Sequence, residues 1–286
     1  MGVTDLLVSD PLTFAIAAAV VGLVVGSFLN VVIHRLPIML ERQWTADAAE
    51  FRGEELPDQG TYNLFVPRSA CPKCSRPVRA HENVPLFGWL LLKGRCAGCG
   101  ARISARYPVV ELLGGLLAGA CAWQFGFGLA GIAAIGLCWA LIALTFIDAD
   151  TQLLPDEITL PLLWAGLLVN LEAAFVPLEQ AVIGAAAGYL SLWSIYWLFR
   201  LATGREGMGY GDFKLLAALG GWLGWKMLPA IILLSSVVGA VVGVSLMVFA
   251  RHGREQPIPF GPYLAGAGVL ALFFGPAINA TWLRIG

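Results

Sequence analysis

Gly128-Leu-Ala-Gly-Ile-Ala-Ala-Ile-Gly-Leu-Cys-Trp-Ala-Leu-Ile-Ala-Leu-Thr-Phe-Ile147 is a run of twenty residues without a charge, and it stops at an acid, Asp148. A helix rises about 1.5 Å per residue, so such a run covers the roughly 30 Å of a bilayer's hydrocarbon. Working outward, seven further apolar segments of similar kind emerge, at about 12–33, 108–126, 158–176, 180–199, 212–225, 228–250 and 260–282. The sixth in chain order, 212–225, is short and Gly-rich, so its limits are the least defined. The sequence therefore predicts an all-α polytopic membrane protein of about eight transmembrane helices. The composition agrees: 58% of the 286 residues are hydrophobic and 13% charged, with a mean hydropathy of +0.76. Soluble chains carry about a quarter charged residues. A net charge of −1 offers no case for nucleic-acid binding. Met1 to Asp10 holds Asp5 and Asp10 but no Lys or Arg. The basic start of a secretory signal is missing, and the first apolar segment is expected to stay as an anchor.

One sizeable polar region, His34 to Tyr107, lies between the first two segments. It carries Arg35, Arg42, Arg52, Arg68, Lys73, Arg76, Arg79, Lys93, Arg95, Arg102 and Arg106. By alternation Arg200, Arg205, Lys214, Arg251 and Arg254 fall on the same side, against Lys226 and Arg284 opposite. Sixteen against two places the large loop in the cytoplasm and the N-terminus outside. The expected division is a first helix over 1–33, a cytoplasmic loop domain over 34–107, and a membrane core of about seven helices over 108–286.

Within the loop, Cys71-Pro-Lys-Cys74 and Cys96-Ala-Gly-Cys99 form two CxxC pairs with 21 residues between them. This is close to the spacing of four-thiolate zinc sites, and Pro72, Gly98 and Gly100 suit knuckle turns. Two disulfides are the main competitor, disfavoured in a reducing cytosol. A redox CxxC would use one pair within a thioredoxin-like pattern, which is absent. Four thiolates leave zinc no open position, so the expected metal is structural. Cys121 and Cys138 lie inside apolar segments and read as packing residues.

Asp148 and Asp212 should share the cytoplasmic membrane edge, since two crossings separate them. Acids beside lipid are costly and are functional candidates. Two that approach each other share a proton, and one can activate water while the other protonates a substrate. Asp150, Asp156 and Glu157 lie close in sequence and are more simply solvated loop acids, with a second reading as a negative surface for a basic peptide. Gly207, Gly209 and Gly211 alternate before Asp212 and call for a close backbone approach. A phosphate-loop or dinucleotide reading of these glycines fails, because no strand precedes them.

Gly209-Tyr-Gly-Asp212 resembles the GxGD signature of intramembrane aspartyl proteases. Gly26-Ser-Phe-Leu-Asn-Val-Val-Ile-His-Arg-Leu-Pro37, the CxxC pairs, Arg106-Tyr-Pro-Val-Val-Glu111, Phe146-Ile-Asp148, Leu154-Pro-Asp156 and Pro259-Phe-Gly-Pro262 resemble bacterial type IV prepilin peptidases, in that family's order. The resemblance implies a multi-pass enzyme of the bacterial inner membrane. Its substrates would be type IV prepilins and type II secretion pseudopilins. It would remove their basic leader and then N-methylate the new N-terminal residue with S-adenosylmethionine. It carries catalytic roles onto Asp148 and Asp212, and zinc ligation onto Cys71, Cys74, Cys96 and Cys99. Nothing in the residues themselves gives the methyltransferase. Asn30, His34 and Glu111, with Arg35, are candidates to line a cofactor site, and interhelical polar contacts explain each of them equally well. A proton-coupled transporter using Asp148 and Asp212 as its relay is the rival reading, although inverted repeats and midplane acids are absent. A scaffold docking partners through the zinc loop would leave the Gly-rich acidic segment unexplained.

Overall fold

The computed structural model describes residue 8 and residues 10–54, 60–249 and 258–285. Asp5, Arg251 and Arg254, used above in reading the start and the charge asymmetry, lie outside the described residues, as does the side chain of Arg284. Among the described residues nine α-helices run in the order α1 (Pro11–Arg52), α2 (Phe87–Leu91), α3 (Arg106–Phe125), α4 (Leu129–Thr151), α5 (Asp156–Val169), α6 (Leu178–Thr203), α7 (Tyr210–Leu223), α8 (Leu228–Phe249) and α9 (Gly261–Ile285). Among the described residues the only β pairing is two isolated bridges, Ala70 with Pro77 and Arg95 with Arg102. Helix dominates because lipid offers no partner for a backbone N–H or C=O, so each apolar segment must satisfy its own.

All eight long apolar segments form helices, and among the described residues six are long and apolar enough to cross a membrane. Helices α5 and α7, at the fourth and sixth expected segments, have 14 residues each. At about 21 Å they fall short of the hydrocarbon thickness. The chain divides into two compact units, 1–126 and 127–286.

In the first unit α1 begins under the Asp10 carboxylate, which accepts from the Leu12 and Thr13 N–H groups at 3.1 and 3.3 Å, with Pro11 at the first position. That is a regular N-cap. The helix continues past the expected end of the first segment, through Pro37 to Arg52, and Gly53 closes it in the left-handed conformation at φ 69°. Helices α1 and α3 meet on glycine. A Cβ on Gly22 would strike the Gly114 carbonyl, and one on Gly26 would lie 2.7 Å from Glu111 Cα. Such backbone approach holds helices together in lipid, where apolar burial gives little drive.

In the second unit α7 is the centre, buried from Asp212 through Leu223 except Lys214. Its glycines admit neighbours: a Cβ on Gly220 would collide with the Gly184 carbonyl of α6, and one on Gly188 would sit 2.6 Å from the Leu216 carbonyl. Asn170, fully buried at the end of α5, donates to the Gly221 and Trp222 carbonyls at 2.9 and 3.0 Å and accepts from the Phe175 and Val176 N–H groups. It satisfies the last carbonyls of α7, which a buried helix end would otherwise leave without partners.

Candidate functional site

Asp148 sits three residues from the end of α4 and Asp212 in the first turn of α7. They are 5% and 7% exposed, in contrast to Asp150, Asp156 and Glu157, which are exposed. The two buried acids lie within electrostatic range of each other. Leu154 stands between the segments that carry them. A Cβ on Gly211 would lie 2.6 Å from Leu154 Cβ, and one on Gly261 would lie 3.2 Å from Leu154 Cδ2. Gly261, the first residue of α9, donates its N–H to Asp148 Oδ2 at 2.9 Å. Asp212 Oδ1 is buried and has no hydrogen-bond partner among the described residues. A buried carboxylate oxygen left without a donor is costly, and it is the atom free to take a proton or water.

The three glycines before Asp212 make room for side chains rather than for the backbone approach expected: a Cβ on Gly211 would lie 2.6 Å from Leu154 Cβ and one on Gly207 2.9 Å from the Phe199 ring. Asp156 is not a free negative charge. Lys214 Nζ reaches its two oxygens at 2.6 and 2.7 Å, joining the start of α5 to the first turn of α7. The sequence reading of Asp156 as part of a surface for basic peptides is corrected by that ion pair. Gly261 was legible only as part of a quoted block; its contact to Asp148 spans 113 positions and leaves no local pattern.

The four loop cysteines converge in the first unit, their sulfurs all within 4.8 Å of one another. Cys71 Sγ and Cys99 Sγ are 3.8 Å apart, and Cys74 Sγ and Cys96 Sγ 3.9 Å. A tetrahedron with zinc–sulfur bonds of about 2.3 Å has edges near 3.8 Å, whereas a disulfide needs about 2.05 Å. The residues therefore fit a divalent metal, and this spacing is not that of disulfides. The two knuckles are built alike. Cys71 N–H donates to Arg76 O and Cys96 N–H to Ala101 O; Ser75 N–H returns to Cys71 O and Gly100 N–H to Cys96 O. Ser75 and Gly100 take the left-handed conformation at φ 55° and 70°. The N–H groups of Cys99 and Gly98 pull the Cys96 thiol down to about 6, and those of Cys74 and Lys73 lower Cys71, favouring thiolates there, whereas Cys74, despite the Arg76 N–H, is pushed up to about 11 by burial and its neighbouring thiols. Beside them Arg76 makes a paired contact with Glu82, at 2.7 and 3.2 Å.

Three of the four cofactor candidates, Asn30, Glu111 and Arg35, have structural partners. Asn30 donates to the Gly26 and Tyr107 carbonyls, tying α1 to the start of α3. Glu111 accepts from the Leu86 N–H at 2.8 Å. Arg35 donates to the Asn63 and Pro67 carbonyls at 2.8 and 2.5 Å, and His34 is exposed. Cys121 and Cys138 are fully buried, as packing residues are.

The Bacterial Peptidase A24 N-terminal domain matches residues 20–125, and the Type IV leader peptidase family matches residues 135–244. A protein of Aeromonas salmonicida (strain A449) is 60% identical over 264 residues, covering 91% of each chain. The chain belongs to the type IV leader peptidase family. One relative in Stutzerimonas stutzeri is 56% identical over 98% of this chain and 97% of its own, and another in Pseudomonas aeruginosa is 54% identical over 99% and 98%. All three carry the name prepilin leader peptidase/N-methyltransferase. No solved structure matches. Family membership leaves the transporter reading without support.

Proposed function

We propose that this chain cleaves the leader from type IV prepilins and pseudopilins with Asp148 and Asp212, and methylates the amine so exposed. The observation that supports the peptidase most directly is the asymmetry of the two buried acids, one anchored by the Gly261 N–H and the other with an unpartnered oxygen. One carboxylate takes a proton from water as the oxygen attacks the scissile carbonyl. The other gives a proton to the departing nitrogen, so that the C–N bond breaks and leaves a carboxylate and a free amine. The basic excess of the loop favours a cytoplasmic loop and an inner-membrane enzyme with its N-terminus outside. A basic leader kept in the cytosol would then meet the aspartates at the membrane edge.

Zinc would be held by Cys71, Cys74, Cys96 and Cys99 and would fold the loop. S-adenosylmethionine would supply the methyl group: its S–CH3 bond would break as the new C–N bond forms at the neutral amine, with the neutral thioether as leaving group and a proton lost from the amine. A charged, polar donor costs less to bind facing water than facing lipid. Asp148→Asn and Asp212→Asn proteins should insert normally and lose cleavage by at least about a hundredfold. Asp212→Asn should still transfer labelled methyl to a pre-cleaved peptide. Full cleavage by either folded mutant would defeat the aspartyl mechanism, and no transfer by the unmutated protein would defeat the methyltransferase.

A further inference from the structure

The loop contains one short helix whose placement its polar surroundings do not explain. In α2 the side chains of Phe87, Leu90 and Leu91 are 63%, 60% and 78% exposed, and Val84 just before it is 45% exposed. Their spacing puts Phe87, Leu90 and Leu91 on one stripe. The other face holds the loop: Gly88 is buried against the Glu82 carbonyl, and Trp89 Nε1 donates to the Ile103 carbonyl at 3.3 Å. The apolar stripe therefore points away from its own domain.

The height of this helix is fixed. Leu86 N–H, one residue before α2, donates to Glu111 Oε2 at 2.8 Å. Glu111 is the sixth residue of α3, a helix apolar enough to cross a membrane, and its Cα lies against Gly26 of α1. Gly26 is seven residues, or about 10 Å, inside the end of the first apolar segment. The start of α2 is thus moored to a buried acid that lies within the apolar length of both helices. On α3 itself Tyr107, Val109, Leu112 and Leu116 are 47%, 46%, 44% and 59% exposed, which is the surface lipid covers. Immediately beyond the stripe come Lys93, Arg95 and Arg102, all exposed.

We propose that α2 is an interfacial wedge, with Phe87, Leu90 and Leu91 among the acyl chains of the bilayer that α1 and α3 cross, and Lys93, Arg95 and Arg102 on anionic headgroups. Apolar residues bordered by basic ones are what an in-plane segment needs at a charged membrane surface. The occupant is phospholipid, because the stripe lies at the level where the unit's own spanning helices meet it. The inference rests on the membrane character of the chain and not on the catalytic reading.

The test places a photoreactive benzoylphenylalanine at Leu91, at Phe87, and at Lys73 on a zinc knuckle, each in the full chain in nanodiscs. The discs contain phosphatidylcholine alone or with phosphatidylglycerol. After irradiation, mass spectrometry should find phospholipid adducts at positions 87 and 91 and none at 73. The yield should rise with phosphatidylglycerol, and Lys93→Gln with Arg95→Gln should remove that rise. Hydrogen exchange over residues 84–93 should also be slower in nanodiscs for the unmutated chain than for Leu91→Glu. Absence of lipid adducts at both positions, equal adducts at 73, or adducts to a second copy or to a prepilin peptide in place of lipid would overturn the wedge. A yield indifferent to phosphatidylglycerol would overturn the headgroup contact.

Discussion

Gly261→Ala adds one methyl group at the most demanding point of the aspartate site. The new Cβ would lie 2.6 Å from Asp148 Oδ2, 3.0 Å from Asp148 Cγ and 3.2 Å from Leu154 Cδ2. Ordinary contact begins near 3.4 Å, so the carboxylate must move by about 0.8 Å; displacement on that scale costs a catalytic group about a hundredfold in rate. The same movement stretches the 2.9 Å bond from Gly261 N–H, and a hydrogen bond to a charged group contributes about 1.5–3 kcal/mol. The two figures describe one event and are not added. Alanine is favoured over glycine in a helix, so the fold should not suffer from the backbone change. The assay is single-turnover cleavage of a prepilin peptide by purified protein, with a thermal unfolding curve beside it. The expected result is a rate lower by about two orders of magnitude, with peptide affinity little changed and the melting temperature lowered by only a few degrees. Gly266→Ala on the same helix is the control, since its Cβ would meet nothing within 4 Å. Unimpaired cleavage by Gly261→Ala would refute the placement of Asp148 by α9, or its part in the chemistry.

Three other outcomes are expected. Lys214→Asp or Asp156→Lys alone should lower cleavage, and the two together should recover much of it. Partly exposed pairs contribute at most about 1 kcal/mol to stability, so a large drop in melting temperature would show that the pair does more than align α5 and α7. Cys71→Ser or Cys99→Ser should reduce zinc below one per chain and loosen the loop; unmutated protein that contains disulfides and no zinc would end the metal assignment. Glu82 is held down to about 2 by its bond from Arg76 and by the Arg79 N–H. With its value depressed, this tie is complete above pH 4.5 and is lost as the pH falls toward 2. Glu82→Gln should therefore speed amide exchange near Arg79 at pH 7, and a gap between the two proteins that persists below pH 2 would contradict the assignment.

What the sequence disclosed was whatever had a short period or a short spacing. Uncharged runs of about twenty residues mark helices because lipid forces every such run into one. The cysteines were legible because a knuckle turn fixes two ligands three positions apart, and the geometry then matches a tetrahedral metal. Asp148 and Asp212 were legible as acids beside lipid. The extent of α1 was not: residues 34–52 carry Arg35, Glu41, Arg42 and Asp47, and polarity reads the same in a loop and in a helix that has left the membrane. The shortness of α5 and α7 was hidden because buried protein and lipid select the same apolar residues. Contacts from Gly261 to Asp148, Leu86 to Glu111 and Asn170 to Gly221 join distant positions, and no single stretch records them.

Helix α1 is forty-two residues long, yet its apolar portion ends near Ile33. The nineteen residues beyond amount to a lever of about 28 Å rooted in the bilayer. Arg35 grips the Asn63 and Pro67 carbonyls, and Arg42 lies 4.4 Å above the Tyr62 ring, so part of the loop rides on the lever's base. Spanning helices tilt to match the thickness of the lipid around them. A tilt of about ten degrees carries the Arg52 end sideways by about 5 Å, well within the usual range of such tilts. A change in the local thickness of the membrane that tilted α1 would therefore shift the reach of the polar arm above it.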